Sequence, residues 1–292
     1  MFEKINHIKL LKNEPLSNHC SFKIGGNAKF FIKAQTIDSF IETIYSCQQH
    51  GLNYKIIGGG SNILFDDNGY NGAIIKLISE RIIVKENVLK SDCGASISKL
   101  ISTSIQSNLG GFEFAIGVPA LLGGALVNNL GAYNQEISTY LTEIAIIRNK
   151  QLLFLKPQEC NFKYHSSVFQ NSKDILLSAS FNLPNQNQET TQTNAKHLLN
   201  KRISTQPLQH ANAGSIFKRT EAVIPAKLID EAGLKGLSVG DAEISVKHSG
   251  FIINKGNATC KDVLKLIKII KQKIYELYNV ALELEIEYLP ST

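Results

Sequence analysis

The chain has 292 residues, 43% apolar and 19% charged, which excludes a disordered or fibrous protein and predicts more than one domain, because one core stops growing near roughly 250–300 residues. Its net charge of +6 suits an anionic ligand, but the basic residues are scattered with no aromatic-interleaved run, which argues against a nucleic-acid partner. Cys20, Cys47, Cys93, Cys160 and Cys260 lie far apart and odd in number, so they form neither a zinc site nor a disulfide framework and read as buried thiols of a reducing cytosol.

Glu3, Lys4, Lys9 and Lys12 break up the N-terminal apolar residues, which speaks against an export signal. Short β-rich runs follow at 28–33, 54–57 and 72–77, around a helix at 37–50 with Phe40, Ile41, Ile44 and Tyr45 at helical spacing. The strand at 54–57 empties into Gly58, Gly59 and Gly60, then Ser61 and Asn62. Successive glycines without Cβ atoms can form a nest of backbone N–H donors for a pyrophosphate. A dinucleotide fingerprint would need glycine where Ile63 stands, and a nucleoside-triphosphate loop would need a lysine before Ser or Thr. A ligand-free bend therefore stays open beside the phosphate nest.

A second unit is expected over 81–186, after a first over 1–80. It holds strands at 81–85, 87–91, 141–148, 151–155 and 174–183 and a helix at 96–106. Residues 114–135 carry no charge and match a bilayer helix in length. Pro119, the glycines Gly117, Gly123, Gly124 and Gly131, and the amides of Asn128, Asn129, Asn134 and Gln135 exclude that reading, since lipid would leave them unsatisfied. The stretch reads instead as buried backbone around a large ligand, and no membrane insertion is expected.

Residues 184–194 contain no apolar side chain and read as a linker or exposed loop, with a third unit over 187–292. That unit is predicted to hold a helix near Pro225, strands around Ile244 and 250–254, and an amphipathic helix over 261–278 capped by Thr259 with Asp262 three residues on. A final strand at 281–289 puts Glu283, Glu285 and Glu287 on one side. A solvated edge is the plain explanation, though one of them can face a ligand. Ser215 follows a glycine in a turn-like setting but lacks the hydrolase nucleophile elbow. His165 can supply an imidazole, but a lone histidine is more often structural than catalytic.

Taken in order, NHCSFKIGG at 18–26, IGGGSNIL at 57–64, GFEFAIGVPALLGGALVNNLGAY at 111–133, AGSIFK at 213–218, LIDEAGLKG at 228–236, HSGFIIN at 248–254 and LELEI at 282–286 span nearly the whole chain. On these motifs the chain resembles the UDP-N-acetylenolpyruvoylglucosamine reductases, also called UDP-N-acetylmuramate dehydrogenases, in their compact subgroup. The resemblance implies an α+β fold: a two-part FAD-binding module of the vanillyl-alcohol-oxidase/PCMH type, then a C-terminal α+β domain that closes over a nucleotide-sugar. FAD would be the cofactor, NADPH the co-substrate and the cytoplasm the location, with oligomeric state left open. Gly58, Gly59, Gly60, Ser61 and Asn62 would hold the pyrophosphate, and Gly117, Pro119, Gly123, Gly124 and Asn129 would line the flavin and its tail.

By the same resemblance Ser215 is the proton donor, supported by Lys218, and Glu285 is the catalytic glutamate, with Glu283 structural. Tyr164, Lys218, Arg219 and His248 fall at substrate-binding positions. Two departures stand out. The family's Tyr-Arg is here Tyr164-His165, and its Phe-Lys-Asn-Pro is Phe217-Lys218-Arg219-Thr220. Arginine is a permanent forked cation and histidine is not, so His165 must be protonated to take over, or Arg219 supplies the charge instead. The implied activity is reduction of the enolpyruvyl sugar. The alternatives are an FAD-binding relative with altered substrate or lost catalysis, and a nucleotide-sugar binding module without flavin.

Overall fold

The structure is a computed structural model that describes residues 1–291. Its first part comprises β1 (Ile8–Pro15), β2 (Asn27–Ala34), α1 (Ile37–Gln49), β3 (Tyr54–Ile56), β4 (Ile63–Phe65) and β5 (Tyr70–Leu77). The sheet order is β1-β2-β5-β3, antiparallel at β1/β2 and parallel at β2/β5 and β3/β5. Strand β5 is covered on both faces, as a central parallel strand should be: Ala73, Ile75 and Leu77 enter one core and Ile74 another. The first core joins this sheet and α1 to the second sheet, and the other joins its far face to the C-terminal part.

The second part holds β6 (Ile82–Lys85), β7 (Val88–Asp92), α2 (Ile97–Gln106), α3 (Leu122–Val127), β8 (Gly131–Ala132), β9 (Gln135–Glu136), β10 (Leu141–Arg148), β11 (Gln151–Leu155) and β12 (Ile175–Asn182). The larger strands form an antiparallel sheet in the order β11-β10-β12-β7-β6. Within the charge-free stretch the only α-helix is α3, six residues long, and no described helix is long and apolar enough to cross a membrane.

The C-terminal part runs α4 (Gln188–Thr205), β13 (Ala211–Ser215), α5 (Pro225–Glu231), β14 (Ser238–Val239), β15 (Ala242–Ile244), β16 (Phe251–Asn254), α6 (Cys260–Tyr278) and β17 (Glu287–Leu289), with sheet order β13-β16-β15-β14. Three expectations change. Residues 188–194 are not a loop but the start of α4, whose first amides, Glu189 and Thr190, donate to the Asn187 side chain. The strand expected over 281–289 is strand only at β17, where it pairs in parallel with β4, while Leu284 bridges Phe217. Strand β1 was not expected at all.

Helix α6 starts on a full capping box: Thr259 Oγ1 accepts from the Asp262 amide at 3.1 Å and the Asp262 carboxylate accepts from the Thr259 amide at 3.0 Å. Thr259→Ala is expected to cost about 1 kcal/mol, read as a lower urea midpoint at unchanged slope. All five cysteines are free and buried. Burial pushes the thiols of Cys47 and Cys160 up to about 11 and that of Cys260 up to about 12, which leaves them unreactive near neutrality.

Candidate active site

The turn after β3 is a row of unused donors. The backbone N–H groups of Gly58, Gly59, Gly60, Ser61 and Asn62 donate to no protein acceptor among the described residues, although Gly60 is buried and its neighbours are half-buried. Unpaired amides in that setting call for an anion. The turn is fixed from three directions. The Ser21 amide donates to the Gly60 carbonyl at 3.0 Å, a Cβ on Gly59 would stand 2.5 Å from the Pro119 carbonyl, and Gly58 lies against the Gly124 backbone. The glycines are thus needed both for packing and for a bare donor surface. A half-buried nest of this kind, backed by Pro119 and Gly124, fits the pyrophosphate of FAD.

Gly60 has φ +71°, and a Cβ there would meet the His19 carbonyl at 2.2 Å. Gly214 has φ +77° with nothing within 4 Å of a Cβ. Gly60→Ala is therefore expected to lower the melting temperature much further than Gly214→Ala, which meets only backbone strain of about 1–2 kcal/mol. Thermal melts of the two variants side by side check this.

Asn62 ties the nest to the C-terminal segment. Its Nδ2 donates to the Glu285 carbonyl at 3.0 Å and its carbonyl accepts from the Glu287 amide at 3.0 Å. One strand over, the Glu285 amide donates to the Ile216 carbonyl at 2.9 Å, which sets Ser215 and Glu285 on adjoining segments. Ser215 closes β13 after a register shift between Asn212 and Ser215, with Gly214 in the left-handed region. Its hydroxyl is half-buried and has no hydrogen-bond partner among the described residues.

His165 reaches the same place from the second part of the chain. Tyr164 and His165 form the tip of a two-residue turn closed by reciprocal Lys163–Ser166 hydrogen bonds of 3.0 Å, with His165 at φ +49°. Histidine is among the residues that tolerate that conformation. Its Nδ1 lies 2.7 Å from Glu285 Oε1, both side chains being mostly enclosed at 25% and 17% exposure. Burial pulls the imidazole pKa down, but the Glu285 hydrogen bond and the charges of Glu285 and Glu136 outweigh it, so the pKa stands above its ordinary value. Nδ1 is engaged, and Nε2 has no protein partner among the described residues.

The other candidates divide. Tyr164 is 56% exposed, its ring 4.3 Å from that of His165. Its hydroxyl pKa is raised by burial and by Glu285, against an opposing pull from Arg219. Lys218 pairs at 3.6 Å with the exposed Glu283 carboxylate and not with Ser215, so Glu283 and Glu285 have separate partners. The His248 Nδ1 accepts from the Gly250 amide at 3.2 Å, which puts the ring proton on Nε2, and burial holds its pKa below the ordinary value. Gly123 faces Cys93, and its amide donates to the Cys93 carbonyl at 2.8 Å. Asn129 is fully buried, its Nδ2 committed to Glu136 at 2.8 Å and the Lys163 carbonyl at 2.9 Å, with Oδ1 unpartnered among the described residues.

Sequence reasoning missed Glu136, which holds Asn129 and acts on His165; its only signal was that it ends the charge-free stretch. It also missed Ser21, whose hydroxyl donates to the Asn212 carbonyl at 2.6 Å and so links the nest to β13.

Comparison with known proteins bears on the same two halves. A family model described as an FAD binding domain matches residues 28–149, and one described as the UDP-N-acetylenolpyruvoylglucosamine reductase C-terminal domain matches 206–289. The UDP-N-acetylenolpyruvoylglucosamine reductase of Clostridium kluyveri (strain NBRC 12016) is 39% identical over 284 residues, covering 97% of this chain and 93% of that protein. That of Clostridium novyi (strain NT) is 36% identical, covering 95% and 91%. The crystal structure of the Thermus caldophilus reductase superposes with a TM-score of 0.81 at 28% identity, covering 97% of this chain and 99% of that one. With the nest inside the first match and Ser215 and Glu285 inside the second, the chain belongs to the UDP-N-acetylenolpyruvoylglucosamine reductase family.

Proposed function

We infer that the chain is an FAD-dependent oxidoreductase that reduces the enolpyruvyl group of UDP-N-acetylenolpyruvoylglucosamine to give UDP-N-acetylmuramate in peptidoglycan precursor synthesis, with NADPH as the hydride donor. The observation that carries the reading is the double tie from Asn62 to the Glu285 segment, which puts an anion nest beside a histidine–carboxylate pair and a free serine hydroxyl. The five buried free thiols favour a cytoplasmic location. The reading divides the chain into units over 1–80, 81–186 and 187–292.

When bound, FAD supplies the hydride chemistry of both half-reactions. The residues of this chain do the rest. The amides of Gly58 to Asn62 hold the pyrophosphate. Ser215 Oγ gives its proton to the substrate carbon that bears the carboxylate. Glu285 orients His165 through Nδ1, so that the protonated ring turns its Nε2–H toward the substrate carboxylate and favours charge moving onto it. Tyr164, Lys218, Arg219 and His248 bind the nucleotide-sugar, with Arg219 adding positive charge near Tyr164.

Anaerobic reduction of the holoenzyme with NADPH, followed by the enolpyruvyl sugar, tests this by flavin absorbance. Bleaching and then recovery are expected. Bleaching without recovery would point to a relative with another substrate, and protein that takes up no flavin would overturn the reading altogether.

A further inference from the structure

The turn that carries Tyr164 and His165 rests on the residues that end α3 and follow it. The Val127 carbonyl accepts from the Ser167 hydroxyl at 2.6 Å, and Asn128 Oδ1 accepts from Gln170 Nε2 at 2.9 Å, the same nitrogen that donates to the His165 carbonyl at 3.1 Å. Asn129 Nδ2 donates to the Lys163 carbonyl at 2.9 Å. The backbone is therefore gripped on both sides of His165, which itself sits at a left-handed φ of +49°. The other Nδ2 hydrogen of Asn129 goes to Glu136 Oε2 at 2.8 Å, and the β8/β9 hairpin, in which Glu136 pairs with Gly131, folds the carboxylate back to that amide. Asn129 is 0% exposed and both its side-chain donors are used, so it acts as a spacer whose orientation the Glu136 carboxylate fixes.

Glu136 is half-buried and joins none of the ion pairs among the described residues. The charged and titratable groups that face His165 are Glu285 from the C-terminal segment, Glu136 from β9 and the neighbouring Tyr164, on which Arg219 acts in turn. Both carboxylates favour the protonated ring against its burial. Glu285 holds only the Nδ1 side of that ring, while the backbone from which the ring projects is held through Asn129. Misplacing a reacting or charge-stabilising group by about 1 Å can cost about 10²-fold in rate, so what fixes the turn bears on the chemistry. We propose that Glu136 is a positioning residue for the substrate half of the reaction: through Asn129 it fixes the 163–166 turn and with it the aim of His165 Nε2, and its carboxylate sets a second negative charge beside the imidazolium. The proposal rests on the role given to His165 above.

The test compares Glu136→Gln and Glu136→Ala in the holoenzyme by the pH profile of kcat/KM for the enolpyruvyl sugar, by the two half-reactions and by NMR titration of the His165 ring, its signal assigned by loss in His165→Ala. Glutamine keeps an acceptor for Asn129 and removes the charge. In Glu136→Gln the imidazole midpoint and the alkaline limb should both move to lower pH, so that kcat/KM at a fixed pH on that limb falls about three- to tenfold. Glu136→Ala should show the same displacement and, with the acceptor gone, also lower the plateau below the limb about tenfold, in reoxidation by the sugar more than in reduction by NADPH. In a His165→Arg background, which has no imidazole to titrate at that position, Glu136→Gln should displace no limb. An imidazole midpoint that stays put in Glu136→Gln overturns the proposal, as does equal slowing of both half-reactions, which would place Glu136 in service of the cofactor. A lower melting temperature with both half-reactions and the profile intact makes the role structural and overturns it too. Should the alanine variant not fold, the glutamine variant decides alone by the same midpoint. Wild-type kcat/KM in His165→Ala, with the imidazole midpoint still displaced in Glu136→Gln, would overturn the role given to His165 instead.

Discussion

Ser215→Ala is expected to leave reduction of the flavin by NADPH near the wild-type rate and to slow reoxidation by the enolpyruvyl sugar by about 10²–10⁴-fold, the usual worth of a placed proton donor. Geometry drives the expectation. Gly214 at φ +77° and the register shift before Ser215 turn the hydroxyl out of the β13/β16 ladder, while the Ile216 amide, bonded to the Gly250 carbonyl at 3.0 Å, holds the backbone. No neighbour claims the hydroxyl proton among the described residues, and Lys218 is occupied by Glu283. Rapid mixing of the two half-reactions separates the steps. Ser215→Cys should keep part of the second rate, because a thiol can still give a proton from that position. Equal slowing of both half-reactions in the alanine variant would show that Ser215 positions the cofactor and donates nothing.

Elements with local chemistry were legible from sequence. The Thr259–Asp262 box and the apolar face of α6 are written into adjacent residues, and β10 and β11 have the bounds expected of them, 141–148 and 151–155. Elements decided by distant partners were not. Helix α4 opens with polar residues and has almost no apolar face; of its own side chains only Thr191, Ala195 and Arg202 are buried, and the Asn187 cap alone hinted at it. The 281–289 run alternates like one strand, yet its first half meets 216–218 and its end meets β4, a change of partner that no alternation pattern encodes. In β1 the left-handed Asn13, at φ +52°, and the lysines around it hide the pattern. The site follows the same rule: motif positions named Ser215, Glu285 and His165, whereas Glu136 owes its effect on His165 to what the fold brings beside it.

The second large effect concerns the arginine that this chain lacks. Because His165 is held above its ordinary pKa by Glu285 and Glu136 despite burial, the ring keeps its proton to higher pH than a free imidazole does and loses it as pH rises through the raised value. Two consequences follow from that sign. The stabilisation that the His165–Glu285 pair gives the fold is complete below the unfolded imidazole pKa and is lost as pH rises through the raised one. Likewise kcat/KM for the enolpyruvyl sugar, which reports the free enzyme, should fall about tenfold per pH unit beyond the raised pKa. Glu285→Gln removes the main opposing charge and leaves burial ahead, so the alkaline limb should move to lower pH and kcat/KM should drop by about 10²-fold or more. His165→Arg should abolish that limb, since a guanidinium keeps its proton, at a cost of about 1–2 kcal/mol for a less tolerant residue at φ +49°. A profile that keeps the same alkaline limb in His165→Arg would assign the titration to another group. Arg219→Ala is the complementary variant: if it, and not His165→Ala, removes most of kcat/KM, then the charge missing from one motif is supplied from the other.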